Sequence, residues 1–117
     1  MWYLVLSRWT VPIEQGAAYI NDHLEFQYRN HQAGNILFSG PTPDLSVGIY
    51  VIRASSLDEA KRTADADPFH AQGVRQYEML EWEVHQILGA GPFSAEAFGP
   101  LIKDHPDRYR FMRAMQR

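Results

Sequence analysis

Two segments of this chain, residues 1–9 and 47–53, are apolar at odd and even positions alike. Side chains alternate between the two faces of a strand, so such a run asks for cover on both faces of its sheet. The intervening segments set how much cover the chain can supply. Thr10-Val11-Pro12 punctuates the first run, with Thr10 a candidate cap and Pro12 suited to a first helical turn. Ile13, Ala17, Ile20, Leu24, Tyr28 and His31 then recur at spacings of three and four, the stripe of an amphipathic helix, and Gly34 is a natural stop beyond it. Residues 36–39 predict a short second strand, and Gly40-Pro41-Thr42-Pro43-Asp44 a turn into the third. Ser56-Leu57-Asp58-Glu59 has the form of a capping box and opens a second helix, which should end by Asp67 because Pro68 follows. Residues 69–73 read as a turn or a single helical turn. Residues 77–87 predict a fourth strand of mixed parity, with Tyr77 and Met79 on one face and Leu80, Trp82 and Val84 on the other.

The order β-α-β-β-α-β is the ferredoxin-like arrangement, an α+β fold with a four-stranded antiparallel sheet. Right-handed crossovers put both helices on one face of that sheet. The other face is then left bare although strands one and three are apolar on both sides, and a patch of that size needs a partner. A second copy, sheet against sheet, would close a dimeric α+β barrel and make the chain a homodimer or a higher multiple. The alternative cover is the chain's own C-terminal helical extension. Gly89-Ala90-Gly91-Pro92 marks the break, giving a domain over 1–88 and an extension over 89–117 with two helical pieces, one near 94–103 and one opening at Pro106.

Composition narrows the function classes. The chain has 117 residues, which suits one core, and its 45% apolar and 21% charged content is that of an ordinary globular protein. It has no cysteine, which excludes a disulfide scaffold, an iron–sulfur site and a thiol nucleophile, and fits a reducing, cytoplasmic setting. No stretch reaches the ~20 apolar residues of a membrane helix. A net charge of −3 offers no general attraction for nucleic acid or anionic lipid. The basic stretch at 108–117 reads as a solvated helix face with a few packed aromatics. The five histidines lack metal-ligand spacing, and there is neither a phosphate-binding loop nor a dinucleotide fingerprint, so no metal and no cofactor is expected.

The chain resembles the YCII-related family. The resemblance is carried by His23-Leu24 within the first helix and by Gly34-Asn35-Ile36-Leu37-Phe38-Ser39-Gly40-Pro41. Ser56-Leu57-Asp58-Glu59-Ala60 and Ala66-Asp67-Pro68-Phe69, followed by Gly73, complete it. It implies the dimeric α+β barrel and a His–Asp pair in a pocket, credited with acid–base or dehydrohalogenase-like chemistry; here the pair is His23 and Asp67. His23 lies about 80° from the centre of the apolar stripe, counting ~100° per residue, at an edge from which it could reach a pocket. The plainer reading is a helix-edge histidine with a satisfied hydrogen bond, and for Asp67 a turn residue bonding nearby backbone before Pro68. Ser39, Gly40 and Pro41 are candidate pocket walls, with Ser39 a donor to ligand rather than a nucleophile, since no G-x-S-x-G elbow surrounds it. Phe69 is a candidate ligand contact or a core residue, and His70, which could face the pocket, reads first as a solvated turn residue. Three functions follow: a small-molecule lyase or isomerase using the His–Asp pair, a non-catalytic ligand-binding or interaction module, and a cofactor-independent monooxygenase or muconolactone-isomerase-like enzyme.

Overall fold

The computed structural model describes residues 1–87, 95–108 and 110, and only the backbone of 95–98. Strands β1 (Trp2–Trp9), β2 (Ile36–Pro41), β3 (Val47–Arg53) and β4 (Arg75–Trp82) form one sheet in the order β2-β3-β1-β4, antiparallel throughout. The chain passes from β1 to β2 through α1 (Ile13–Gly16), a 3₁₀ turn (Ala17–Tyr19) and α2 (Ile20–Gln32). It passes from β3 to β4 through α3 (Leu57–Asp65) and α4 (Pro68–Ala71). This is the expected ferredoxin-like α+β arrangement. Residues 1–82 form one compact unit; residues 83–117 form a second, in which α5 (Ala95–Asp104) is the described helix. The helix expected beyond Pro106 and most of the basic stretch lie outside the described residues. No described helix is long and apolar enough to cross a membrane.

Register places the core. Tyr3 faces Ile52, Val5 faces Tyr50 and Ser7 faces Gly48 across β1 and β3, so these side chains share one face. Tyr3, Val5, Tyr50 and Ile52 are buried there against Ala60 and Ala64 of α3, with Phe26 of α2 packed alongside. Each large apolar side chain so buried contributes roughly 1.5–3 kcal/mol. The opposite face carries Leu4, Leu6, Ile49, Val51, Leu80 and Trp82 and has no helix of residues 1–82 on it; Val51 is buried, while Leu80 is 45% and Trp82 46% exposed.

Several local expectations are corrected. The stripe on the first helix does not form its buried side: Ile20, Leu24 and Tyr28 are exposed, whereas His23, Phe26, Gln27 and Asn30 face inward. The 3₁₀ turn supplies a physical reason, because its residues advance about 120° each against ~100° in an α-helix, so the stripe loses phase between Ile13 and Ile20. Thr10 does not cap; its hydroxyl donates to the Gly73 carbonyl, and Pro12 occupies the cap position. β4 spans Arg75–Trp82 rather than 77–87, because its partner β1 runs only from Trp9, opposite Arg75, to Trp2, opposite Trp82. β2 continues through Pro41, which sits on an edge strand where a missing N–H costs no sheet bond. A register shift between Ile36 and Ser39 takes up the extra residue at Leu37–Phe38. Of the expected capping box the Ser56 half forms, Ser56 Oγ accepting from Glu59 N–H, while the Glu59 carboxylate reaches one residue further back, to the N–H of Ser55 rather than that of the N-cap Ser56.

Candidate functional site

α4 opens on an Asp-Pro step, and Asp67 caps it by accepting the Phe69 N–H at 3.0 Å. The carboxylate is fully buried, so its remaining capacity has to be met by protein groups. Its Oδ1 also accepts from His23 Nδ1 at 2.9 Å, and its Oδ2 from the Tyr50 hydroxyl at 3.1 Å. Burial, and then the Asp67 charge, push the Tyr50 phenol well above its ordinary range, so it stays a donor. The His23 hydrogen is thereby fixed on Nδ1, which leaves Nε2 as the acceptor in the neutral ring. Phe69 stacks on the imidazole at 4.3 Å between ring centres and holds its plane.

His23 forms part of the wall of a cavity of about 370 Å³, near the lower end of small-ligand pockets. The remaining wall is mostly apolar, with Trp9, Ile13, Ile20 and Leu24 contributing. Trp9 is held in place from three sides. Its indole N–H donates to the Leu45 carbonyl at 2.9 Å, Gly16 of α1 lies hard against its ring, and Phe69 meets it edge-on at 5.0 Å. Leu45 has a φ of 64°, a left-handed conformation that bulky residues rarely adopt, and its carbonyl serves the cavity wall. Asp44 holds the turn before it by accepting from Thr42 and Ser46, bonds that lower its carboxyl to about 2.

The guanidinium of Arg75 also enters this cavity wall. It lies over the Trp9 ring at 4.0 Å and over the Phe69 ring at 4.9 Å. A methyl at Gly48 would collide with it, so the glycine in β3 is the space this cation occupies. Burial lowers the Arg75 pKa, while the guanidinium remains charged at neutral pH.

The structure brings His23 and Asp67 together, with Phe69 against them, and puts Ser39, Gly40 and Pro41 on the same cavity wall. Asp67 is also a turn-capping residue and His23 has a satisfied hydrogen bond, the geometry that the plain reading of each describes. His70 corrects its reading as a solvated turn residue. Its Nδ1–H donates to the Ala64 carbonyl and its Nε2 accepts from Ser7 Oγ, both at 2.7 Å. Sequence reasoning missed Tyr50, Gln27 and Arg75. The available signal was Gly48, a glycine inside an otherwise bulky apolar strand, which marks a close approach by something large. Among the described residues, no group of three or more His, Cys, Asp or Glu side chains could hold a metal ion.

The YCII-related domain family matches residues 1–83, and the chain belongs to that family. The protein YjpA of Bacillus subtilis (strain 168), described as uncharacterized, is 34% identical over 82 residues, covering 70% of this chain and 94% of that protein. The fold is shared with the 5-chloro-2-hydroxyhydroquinone dehydrochlorinase TftG of Burkholderia phenoliruptrix AC1100, solved in complex with 2,5-dihydroxybenzoquinone. That likeness has a TM-score of 0.63 at 20% identity and covers 74% of this chain and 96% of that one.

Proposed function

We propose that this YCII-related protein is a small-molecule enzyme of the lyase or isomerase type in which His23 moves the proton. The observation that carries the reading is the 2.9 Å bond from His23 Nδ1 to a fully buried Asp67 carboxylate, at the wall of an apolar cavity. The dehydrohalogenase-like elimination starts from a chlorinated hydroquinone whose chlorine-bearing carbon has been protonated to the keto tautomer. Nε2 takes the proton of the remaining hydroxyl, the O–H electron pair becomes the new C=O bond, the ring double bond shifts, and chloride leaves with the C–Cl pair, giving a quinone. Asp67 stabilises the imidazolium so formed and keeps the ring oriented. Phe69 and Trp9 give a flat substrate something to lie against. The shared fold of a dehydrochlorinase supports this reaction class, and the substrate it suggests for a first trial is a chlorinated hydroquinone. We further propose that the protein is cytoplasmic, in keeping with its lack of cysteine, and that it works as a homodimer joined through the sheet face opposite the helices of residues 1–82.

The test is halide release. The full chain is incubated with chlorinated hydroquinones, and chloride is followed by ion chromatography. The expected result is turnover that falls by about 10²–10⁴ in His23→Ala. Chloride release undiminished in that variant would sink the role given to His23. No turnover on any compound of the series, alongside measurable binding, would favour the ligand-binding module instead.

A further inference from the structure

We propose that the cavity takes a flat organic acid as its carboxylate anion, and that Arg75 is the residue that binds the carboxylate. Arg75 is only 7% exposed, yet among the described residues its guanidinium has neither an ion pair nor a hydrogen bond, and its Nε lies buried without a partner. A buried charge left in this state is costly unless something pairs with it. The faces of Trp9 and Phe69 offset part of that cost by cation–π attraction, but they accept none of the N–H hydrogens in the plane of the fork. Asp67 is the carboxylate whose charge acts on Arg75, but its oxygens are already engaged by His23, the Phe69 N–H and Tyr50. The fork therefore lacks an acceptor, and a carboxylate matches its geometry two bonds at a time.

A second side chain on the same cavity independently calls for a polar ligand. Gln27 is 7% exposed, lines the cavity and leaves both its amide nitrogen and its amide oxygen unpaired. Such an amide offers a donor to an anion or an acceptor to a hydroxyl on the same ligand. The remaining wall is apolar, so the body of the molecule is hydrocarbon, and Trp9 and Phe69 favour a flat ring. Phe69 touches both functional groups, with His23 stacked on its ring and Arg75 over it. A ligand held by Arg75 thus has the His23 ring as a near neighbour. Treating this acid as the substrate rests on the acid–base reading of His23; the anion site does not.

Titration calorimetry on the full chain tests this with benzoate and 4-hydroxybenzoate as probes and benzamide as the neutral shape control. Either carboxylate is expected to saturate the protein and benzamide to give no measurable heat. Arg75→Met should weaken carboxylate binding about tenfold or more, with Arg75→Lys in between. Carboxylate binding is read by calorimetry in Arg75→Met and proton transfer by halide release in His23→Ala, so loss of the anion site and loss of proton transfer are read in different variants by different measurements. The ligand-free melting temperature of Arg75→Met should be no lower than that of the parent, since an unpaired buried charge has been removed. Arg75 is instead a structural residue, and the proposal is overturned, if neither carboxylate saturates the parent, if Arg75→Met binds as the parent does, if benzamide matches benzoate, or if ligand-free Arg75→Met melts well below the parent.

Discussion

Asp67 accepts three hydrogen bonds from three parts of the chain: His23 on α2, Tyr50 on β3 and the backbone of Phe69. A catalytic partner and a structural cap are therefore the same side chain, and the two roles separate by substitution. Asp67→Asn keeps the shape but cannot accept from all three donors, so it should cost about 1–3 kcal/mol of stability and lower the melting temperature clearly. His23→Ala removes a half-buried ring at the cavity wall and should cost less, while abolishing proton transfer. If melting curves put His23→Ala below Asp67→Asn, Asp67 is not the hub described. His70 gives a pH signature. Burial depresses its pKa below the ordinary 6.5, so at mildly acid pH the unfolded chain binds a proton that the folded chain resists. This contribution to stability is fully present above about 6.5 and is lost as the pH falls below it toward the folded value. Urea midpoints should drop between pH 7.5 and 5, and less so in His70→Gln; parallel curves for the two proteins would refute this. The legibility of these residues in the sequence differs by cause. His23 and Asp67 could be paired only because the resemblance to the YCII-related family implies the pair; nothing local in the sequence gives the distance between them. Arg75 could not be assigned, because its environment is made by Trp9 and Gly48, which only the β1–β3–β4 register brings near it.

At the level of elements, the order and type of strands and helices follow from runs and breakers that act locally, and so the ferredoxin-like sheet was readable. The rotation of the first helix was not, because three residues of 3₁₀ geometry reset the phase of everything after them. That turn follows Gly16, whose missing side chain lets α1 close onto the Trp9 ring. Gly16→Ala should therefore destabilise by about 1–3 kcal/mol as an overpacking change, despite alanine's better helix propensity of ~1 kcal/mol. Because Trp9 forms cavity wall, the same substitution should also weaken binding of flat ligands. Chemical unfolding and ligand titration on this variant check both; a variant as stable as the parent would show that the Trp9 wall yields freely. The displaced stripe has a use once the cavity is known. Ile20 and Leu24 are spared from the core and stand on the cavity wall, while the inward side of α2 is given to His23 and Gln27, which the site needs.

Within residues 1–82, one sheet face lies under the helices of that unit and the other face carries none of them. On that second face, Val51, Leu4 and Leu80 run apolar across three strands, flanked by Leu6 against Ile49 and Trp2 against Trp82, with Glu78 and Arg53 at the third place of those two rows. Leu80 and Trp82 keep nearly half their surface exposed, and Ile49 37%. A contiguous patch of this kind is uncommon on a chain that functions alone. A second copy would cover it, since an antiparallel sheet face can pack on its own image about a two-fold axis with each residue meeting its counterpart set. Light scattering at micromolar concentration should accordingly give twice 13.5 kDa or a multiple of it. Leu80→Lys places a charge on that face and should weaken the association at least tenfold while leaving the helix-side core, which Leu80 does not join, folded. A monomeric parent would sink the pairing and leave residues 83–117 as the candidate cover. In that case deletion of those residues should lower stability or bring on association, since it would bare the face that the pairing model assigns to a second copy.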